Sequence, residues 1–184
     1  MRCPSVAHKL PIFTVGHSTR SIPEFVELLR TGPVDFVVDI RTVPRSRRNP
    51  QYNEEVLADE LAKYQVGYWR VADLGGLRGR STTVPPEVNA FWENQSFHNY
   101  ADYALSSQFG AALGKLLELG SIRRCAIMCA EAVWWRCHRR IVADYLLAQG
   151  RTVLHLMAEG RVEPAKLTAA AIIADGKITY PATS

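Results

Sequence analysis

Five short apolar, β-branched runs alternating with helix-period segments leave this chain few ways to fold. Pro11-Ile12-Phe13-Thr14-Val15 stops at Gly16, and Val34 to Ile40 is almost continuously apolar. Gly67 to Val71 is shorter, and Cys125 to Cys129 and Thr152 to Met157 complete the series. Runs with so little polar alternation suit parallel strands covered on both faces. The segments between them carry helical spacing. Ser21 with Glu24 three residues on makes a capping box, with Pro23 in the first turn, and the helix ends near Thr31-Gly32-Pro33. Asn53 caps a second helix through Val56, Leu57, Leu61 and Tyr64. Tyr100 to Leu119 reads as a third, closed by Gly120, and a fourth starts at Cys137 and runs to Gly150.

The expected fold is therefore a single α/β domain over residues 1–184: a mostly parallel central sheet of about five strands with helices on both faces. Residues 158–184 are expected to form a peripheral extension in which Ile178 to Tyr180 either adds an edge strand or drapes over the surface. At 184 residues and 47% hydrophobic, the chain can bury one full core. No apolar run approaches the roughly 20 residues that span a bilayer. Met1 to Pro11 lacks the apolar stretch of a signal peptide. A cytoplasmic protein with no membrane partner is the expectation. Cysteines at 3, 125, 129 and 137 match no common zinc spacing, so free thiols and no metal are expected. The sequence names no cofactor and no oligomeric state.

Polar clusters follow the strand ends. Gly16-His17-Ser18, Asp39-Ile40-Arg41, Asp73-Leu74-Gly75-Gly76 and Cys129-Ala130-Glu131 would share one rim, because ligands of open parallel sheets bind outside the carboxyl ends of the strands. His17 and Ser18 offer a base and a hydroxyl, since Ser21 already caps the helix. Asp39 ends an apolar strand and needs either a partner, with Arg41 nearest, or a catalytic role. The net charge of +4 is modest, but Arg41, Arg45, Arg47 and Arg48 lie between Asp39 and Glu54 with no acid among them. The stretch from Arg45 through Asn49 and Tyr52 to Asn53, stiffened by prolines, is a candidate phosphate clamp. Arg20, Gly75 and Gly76 complete that wall. Residues 81–99 read as an irregular lid or binding loop.

The densest stretch is Cys129 to Arg140. Cys137 at a helix start beside His138 and Arg139 should have a lowered pKa, whereas Cys125 and Cys129 follow the strand period as core residues do. The same helix start can bind an anion through its free N–H groups, supported by Arg136 and Arg139. Glu131 is then a general base or a counter-ion. Trp134 and Trp135 either stack on a base or cover a core edge.

The motifs Thr14-Val15-Gly16-His17-Ser18, Val38-Asp39-Ile40-Arg41 with Pro44-Arg45-Ser46-Arg47, Asn49-Pro50-Gln51-Tyr52-Asn53, Leu74-Gly75-Gly76, and Met128-Cys129-Ala130-Glu131 through Arg136-Cys137-His138-Arg139 resemble, in this order, the domain-of-unknown-function 488 family (DUF488). The resemblance runs over about residues 12–157. It implies a compact α/β domain and brings no reaction. Asp39-Arg41 and the span from Cys129 to Arg136 also resemble, more weakly, the acid–Arg pair and Cys loop of rhodanese and related phosphatase domains. Six residues separate Cys129 from Arg136, one more than that loop usually holds.

The leading expectation is an enzyme or binding protein whose arginine-rich rim takes a phosphate-containing small molecule, nucleotide-like in kind, for hydrolysis or group transfer. In that reading His17, Ser18, Asp39, Cys129 and Glu131 are the catalytic candidates. A second reading is a nucleic-acid-binding or -processing module that stacks bases on Tyr52, Trp134 or Trp135. A third is a Cys-dependent sulfurtransferase or phosphatase. A fourth is a scaffold whose arginines only form surface ion pairs.

Overall fold

The computed structural model describes residues 9–183. Eight strands form: β1 (Ile12–Gly16), β2 (Phe36–Asp39), β3 (Gly67–Arg70), β4 (Cys125–Cys129), β5 (Val153–Leu156), β6 (Val162–Pro164), β7 (Ile172–Ala174) and β8 (Lys177–Thr179). Five α-helices accompany them: α1 (Ile22–Arg30), α2 (Glu54–Ala62), α3 (Gln95–Ala104), α4 (Ser107–Ile122) and α5 (Arg139–Ala148). The main sheet has the order β3-β2-β4-β1-β5-β6. Its first five strands pair in parallel and β6 joins β5 antiparallel. The five expected strands are all present, and β6 adds a short edge. No helix among the described residues is long and apolar enough to cross a membrane.

The strand period sorts the core into two layers. Phe13, Val15, Val37, Ala126 and Met128 pack with the buried faces of α1 and α2. Ile12, Val38, Cys125 and Ile127 pack on the opposite face with α3, α4 and α5. Ser21 and Glu24 make the reciprocal capping box. Nine residues are too few for a helix to persist alone. The burial of Ile22, Phe25, Val26, Leu28 and Leu29 stabilises α1, at roughly 1.5–3 kcal/mol for each large side chain.

Two expectations change. The helix expected over Tyr100–Leu119 is two helices. Ser106 takes an extended backbone and its hydroxyl accepts from the Phe109 N–H at 3.2 Å, which ends α3 and restarts the chain as α4. The C-terminal extension is not peripheral, because Ile178 and Tyr180 are fully buried in the second core layer. Ile178 lies in the separate β7–β8 hairpin instead of on an edge of the main sheet. The Tyr180 hydroxyl donates to Asp144 Oδ2 at 2.9 Å, and the Tyr180 N–H donates to Asn89 Oδ1 at 3.0 Å. Tyr180→Phe is expected to lower the unfolding free energy by roughly 1.5–3 kcal/mol, the range for a hydrogen bond to a charged group. Urea denaturation checks this, and an unchanged midpoint would show the tail to be a passive cover.

Candidate functional site

Register brings three of the four polar clusters together. β4 lies between β2 and β1, with Gly16 opposite Cys129 and Asp39 opposite Met128. Beyond the strands, the His17 N–H donates to Cys129 O at 2.9 Å and the Ser18 N–H to Ala130 O at 3.0 Å. A side chain at residue 16 would run into the Glu131 carbonyl, so only glycine lets β1 end against the loop after β4. A cavity of about 330 Å³ opens on this rim, lined by Arg41, Thr42, Val43, Gly76, Leu77, Ser96, Phe97, Cys129, Ala130, Glu131, Arg136, Cys137 and His138.

Two sulfurs form its floor. Cys129 Sγ lies 2.6 Å from Cys137 Sγ, and Cys137 Sγ lies 3.4 Å from His138 Nδ1. The other ring nitrogen of His138 faces the Ile40 carbonyl at 2.9 Å. A carbonyl only accepts, so Nε2 carries the proton and Nδ1 is free to take one from the thiol. The Arg139 backbone N–H donates to Cys137 Sγ at 3.4 Å. The Arg139 N–H that the α5 start would offer an external anion thus points at the chain's own Cys137 sulfur. Burial would push the Cys137 thiol up. The Cys129 S–H, the His138 ring and the Arg139 guanidinium outweigh it and hold Cys137 well below the ordinary thiol range. Cys129 goes the other way, raised by burial and by its bond to Cys137.

Arg139 adds to the lowering of Cys137 after Cys129 and His138. Its side chain is 1% exposed, and its Nη2 donates to Glu131 O at 2.6 Å. Among the described residues no carboxylate comes within ion-pair distance of it. Burial disfavours the charged guanidinium, and the Cys129 and Cys137 sulfurs near it oppose that effect.

A family model for a domain of unknown function, DUF488, matches residues 21–146. The chain belongs to the DUF488 family. No curated protein and no solved structure matches it, so the rhodanese-like features of the sequence gain no support from a known fold. In this DUF488 chain Arg136 is exposed on the cavity wall, while Arg139 is buried and does not line the cavity.

Several expected site residues serve the scaffold. Asp39 is fully buried and spends both oxygens on Arg41 and the Tyr68 hydroxyl. His17 is buried behind Arg41, stacked on Tyr52 at 3.9 Å, with Nδ1 donating to Ser18 O. Ser18 takes a left-handed φ of 51° at the turn, and Arg20 donates to Gly16 O. The expected phosphate clamp does not face the cavity. Arg45 reaches out to Glu55 at 3.8 Å, Arg47 is exposed, and Asn53 Oδ1 ties the loop by accepting the Ser46 N–H. Asn49 takes part in the same loop through its N–H to Ser46 Oγ. Tyr52 and Trp134 are not free to stack on bases, since Tyr52 is buried and Trp134 lies flat on His155 at 4.4 Å. The two glycines act by smallness. A Cβ on Gly76 would press on the His138 ring, and one on Gly75 on Thr42 Oγ1.

Residues 81–99 are anchored, not a free lid. Asn89 donates to Asp102 at 2.7 Å, and Trp92 is buried and stacked on Phe97. That segment presents Ser96 and Phe97 to the cavity. Thr42, Val43, Leu77, Ser96 and Phe97 were not foreseen. Each comes from a loop or helix start that only the tertiary fold brings to the rim. Among the described residues no group of three His, Cys, Asp or Glu side chains could hold a metal ion.

Proposed function

We propose that this DUF488 protein is an enzyme whose Cys137 thiolate attacks a small anionic substrate and takes a group from it. The observation that carries this reading is the Cys137–His138 contact, with the ring held by the Ile40 carbonyl. A nucleophile, a base and a third group that fixes the base is the arrangement of covalent catalysis. In the forward step, the thiolate bonds to an electrophilic phosphorus or sulfur atom. The proton on His138 then goes to the leaving group. Arg136 lines the same cavity, is exposed there and supplies positive charge toward an anion, while the charge of Arg41 is taken up by Asp39. Apolar walls from Val43, Leu77 and Phe97 suit a substrate with an apolar body. A cavity of this volume lies in the small-molecule range. The outward course of the Arg45 loop and the covered faces of Tyr52 and Trp134 favour such a ligand over nucleic acid.

Two measurements test it. Iodoacetamide at neutral pH is expected to label Cys137 at least about tenfold faster than Cys125, whose thiol burial pushes up to about 12. Peptide mass spectrometry locates the label. Incubation with an aryl phosphate and, separately, with thiosulfate should leave a covalent adduct on Cys137 with one of them. Adducts or turnover that survive Cys137→Ser unchanged would overturn the assignment.

A further inference from the structure

We propose a further activity at this site: Cys129 is the resolving thiol of a two-cysteine redox centre, in which Cys137 reduces a small disulfide or hydroperoxide and Cys129 closes an intramolecular disulfide. The inference rests on Cys137 being the attacking thiolate, as proposed above.

Geometry carries it. The two sulfurs are 2.6 Å apart, only about half an ångström beyond a disulfide bond, so closing the bridge requires a small side-chain rotation and no new backbone path. Both sulfurs line the cavity, so an oxidant that reaches one reaches the pair. Cys129 ends a parallel strand, and Cys137 sits in the turn just before the α5 N-cap His138, where the Arg139 N–H holds its sulfur. The thiols are not equivalent. Cys137 receives the Arg139 N–H and faces His138, while Cys129 Sγ has neither contact and lies 3.8 Å from Glu131 O. Cys125 shares the strand but lies buried four residues back and does not line the cavity.

With a disulfide RSSR, Cys137 Sγ bonds to one sulfur, the S–S bond breaks, and the other sulfur leaves as RSH with the proton that His138 Nδ1 had taken from Cys137. Cys129 then gives its proton to His138 Nδ1 and attacks Cys137 Sγ. The Cys137–SR bond breaks, and the second RS⁻ leaves with that proton. The dithiol is oxidised by two electrons and RSSR becomes two RSH. With a hydroperoxide ROOH, Cys137 takes the terminal oxygen as a sulfenic acid and ROH leaves. Attack by Cys129 then expels water and gives the same disulfide. In the bridged state Cys137 has no free sulfur, so the transfer reaction proposed above stops until an external thiol reduces the pair.

The full-length protein is treated with hydrogen peroxide or with hydroxyethyl disulfide in separate arms, denatured, alkylated and mapped without reduction. A Cys129–Cys137 cross-link is expected, reversed by dithiothreitol and retained in the Cys3→Ser/Cys125→Ser variant. The arm that yields it identifies the oxidant class. In Cys129→Ser the reaction should halt at a mixed disulfide or a dimedone-trapped sulfenic acid on Cys137. The proposal is overturned if neither arm gives the cross-link in the wild-type protein, or if Cys3 or Cys125 provides the partner. Rapid iodoacetamide labelling of Cys137 without any cross-link would remove this inference and leave the thiolate reading standing. Slow labelling together with no reaction would remove both.

Discussion

In an Arg41→Met variant the unfolding free energy is expected to fall by about 3–5 kcal/mol, the cost of stranding one member of a buried ion pair. Asp39 is fully buried and Arg41 is 6% exposed. Asp39 Oδ1 accepts from Arg41 Nε at 2.9 Å and from the Arg41 backbone N–H at 3.1 Å. Oδ2 accepts from Arg41 Nη2 at 2.6 Å and the Tyr68 hydroxyl at 2.7 Å. Methionine keeps the backbone donor and roughly the stem, and Tyr68 remains, but the guanidinium that neutralises Asp39 is gone. Arg41 Nη2 also donates to Tyr52 O at 2.7 Å and Nη1 faces His17 Nε2 at 3.3 Å, so the turn that carries Tyr52 loses an anchor as well. Urea denaturation reads the loss. The double variant Asp39→Asn/Arg41→Met should recover part of it, because no uncompensated charge then remains. A single-variant loss below about 1 kcal/mol, the scale of an exposed pair, would show that solvent reaches Asp39.

This pair also marks how far the sequence could be read. Strand β4 has the expected limits, and the Ser21–Glu24 capping box is present, because both depend on residues adjacent in the chain. The shared rim was legible too, since parallel strands send their carboxyl ends one way. Which arginines would be consumed was not. Arg41, Arg45, Arg136 and Arg139 look alike in a sequence, and partners as far away as Tyr68 or Glu131 O decide their fates. One signal was available. Arg139 stands three residues before Val142 and six before Tyr145, on the face of α5 that is buried, whereas Arg136 precedes the helix. Helical phase therefore points Arg139 inward and says nothing of Arg136. The sulfur pair was hidden for the converse reason. Cys129 follows the strand period and Cys137 opens a helix eight residues later, and only the path of the intervening turn shows that they converge.

Between pH 6.5 and pH 4 the protein is expected to lose several kcal/mol of stability through two buried histidines. His17 and His155 are each 2% exposed, and each is lowered from the ordinary 6.5 to about 4. Burial is the main cause for both. For His17, Arg41 and Arg139 add to it while the Ser18 carbonyl and Asp39 oppose it. For His155, Arg139 adds to it. His155 also shares a 2.7 Å hydrogen bond with Thr14 Oγ1 and lies flat against Trp134. The sign follows from which state binds protons. Above pH 6.5 both rings are neutral in the folded and unfolded chains, and the contribution is fully present. As the pH falls, the unfolded chain protonates first, and stability declines until the folded rings titrate near pH 4. Each histidine accounts for about 3 kcal/mol over that window. Asp144, raised mainly by burial, works in the opposite direction. Urea midpoints across the window should show the decline. His155→Gln should roughly halve its slope, because glutamine keeps a partner for Thr14 but binds no proton. A decline confined to below pH 4 in both proteins would assign acid unfolding to the carboxylates and show that water reaches these rings.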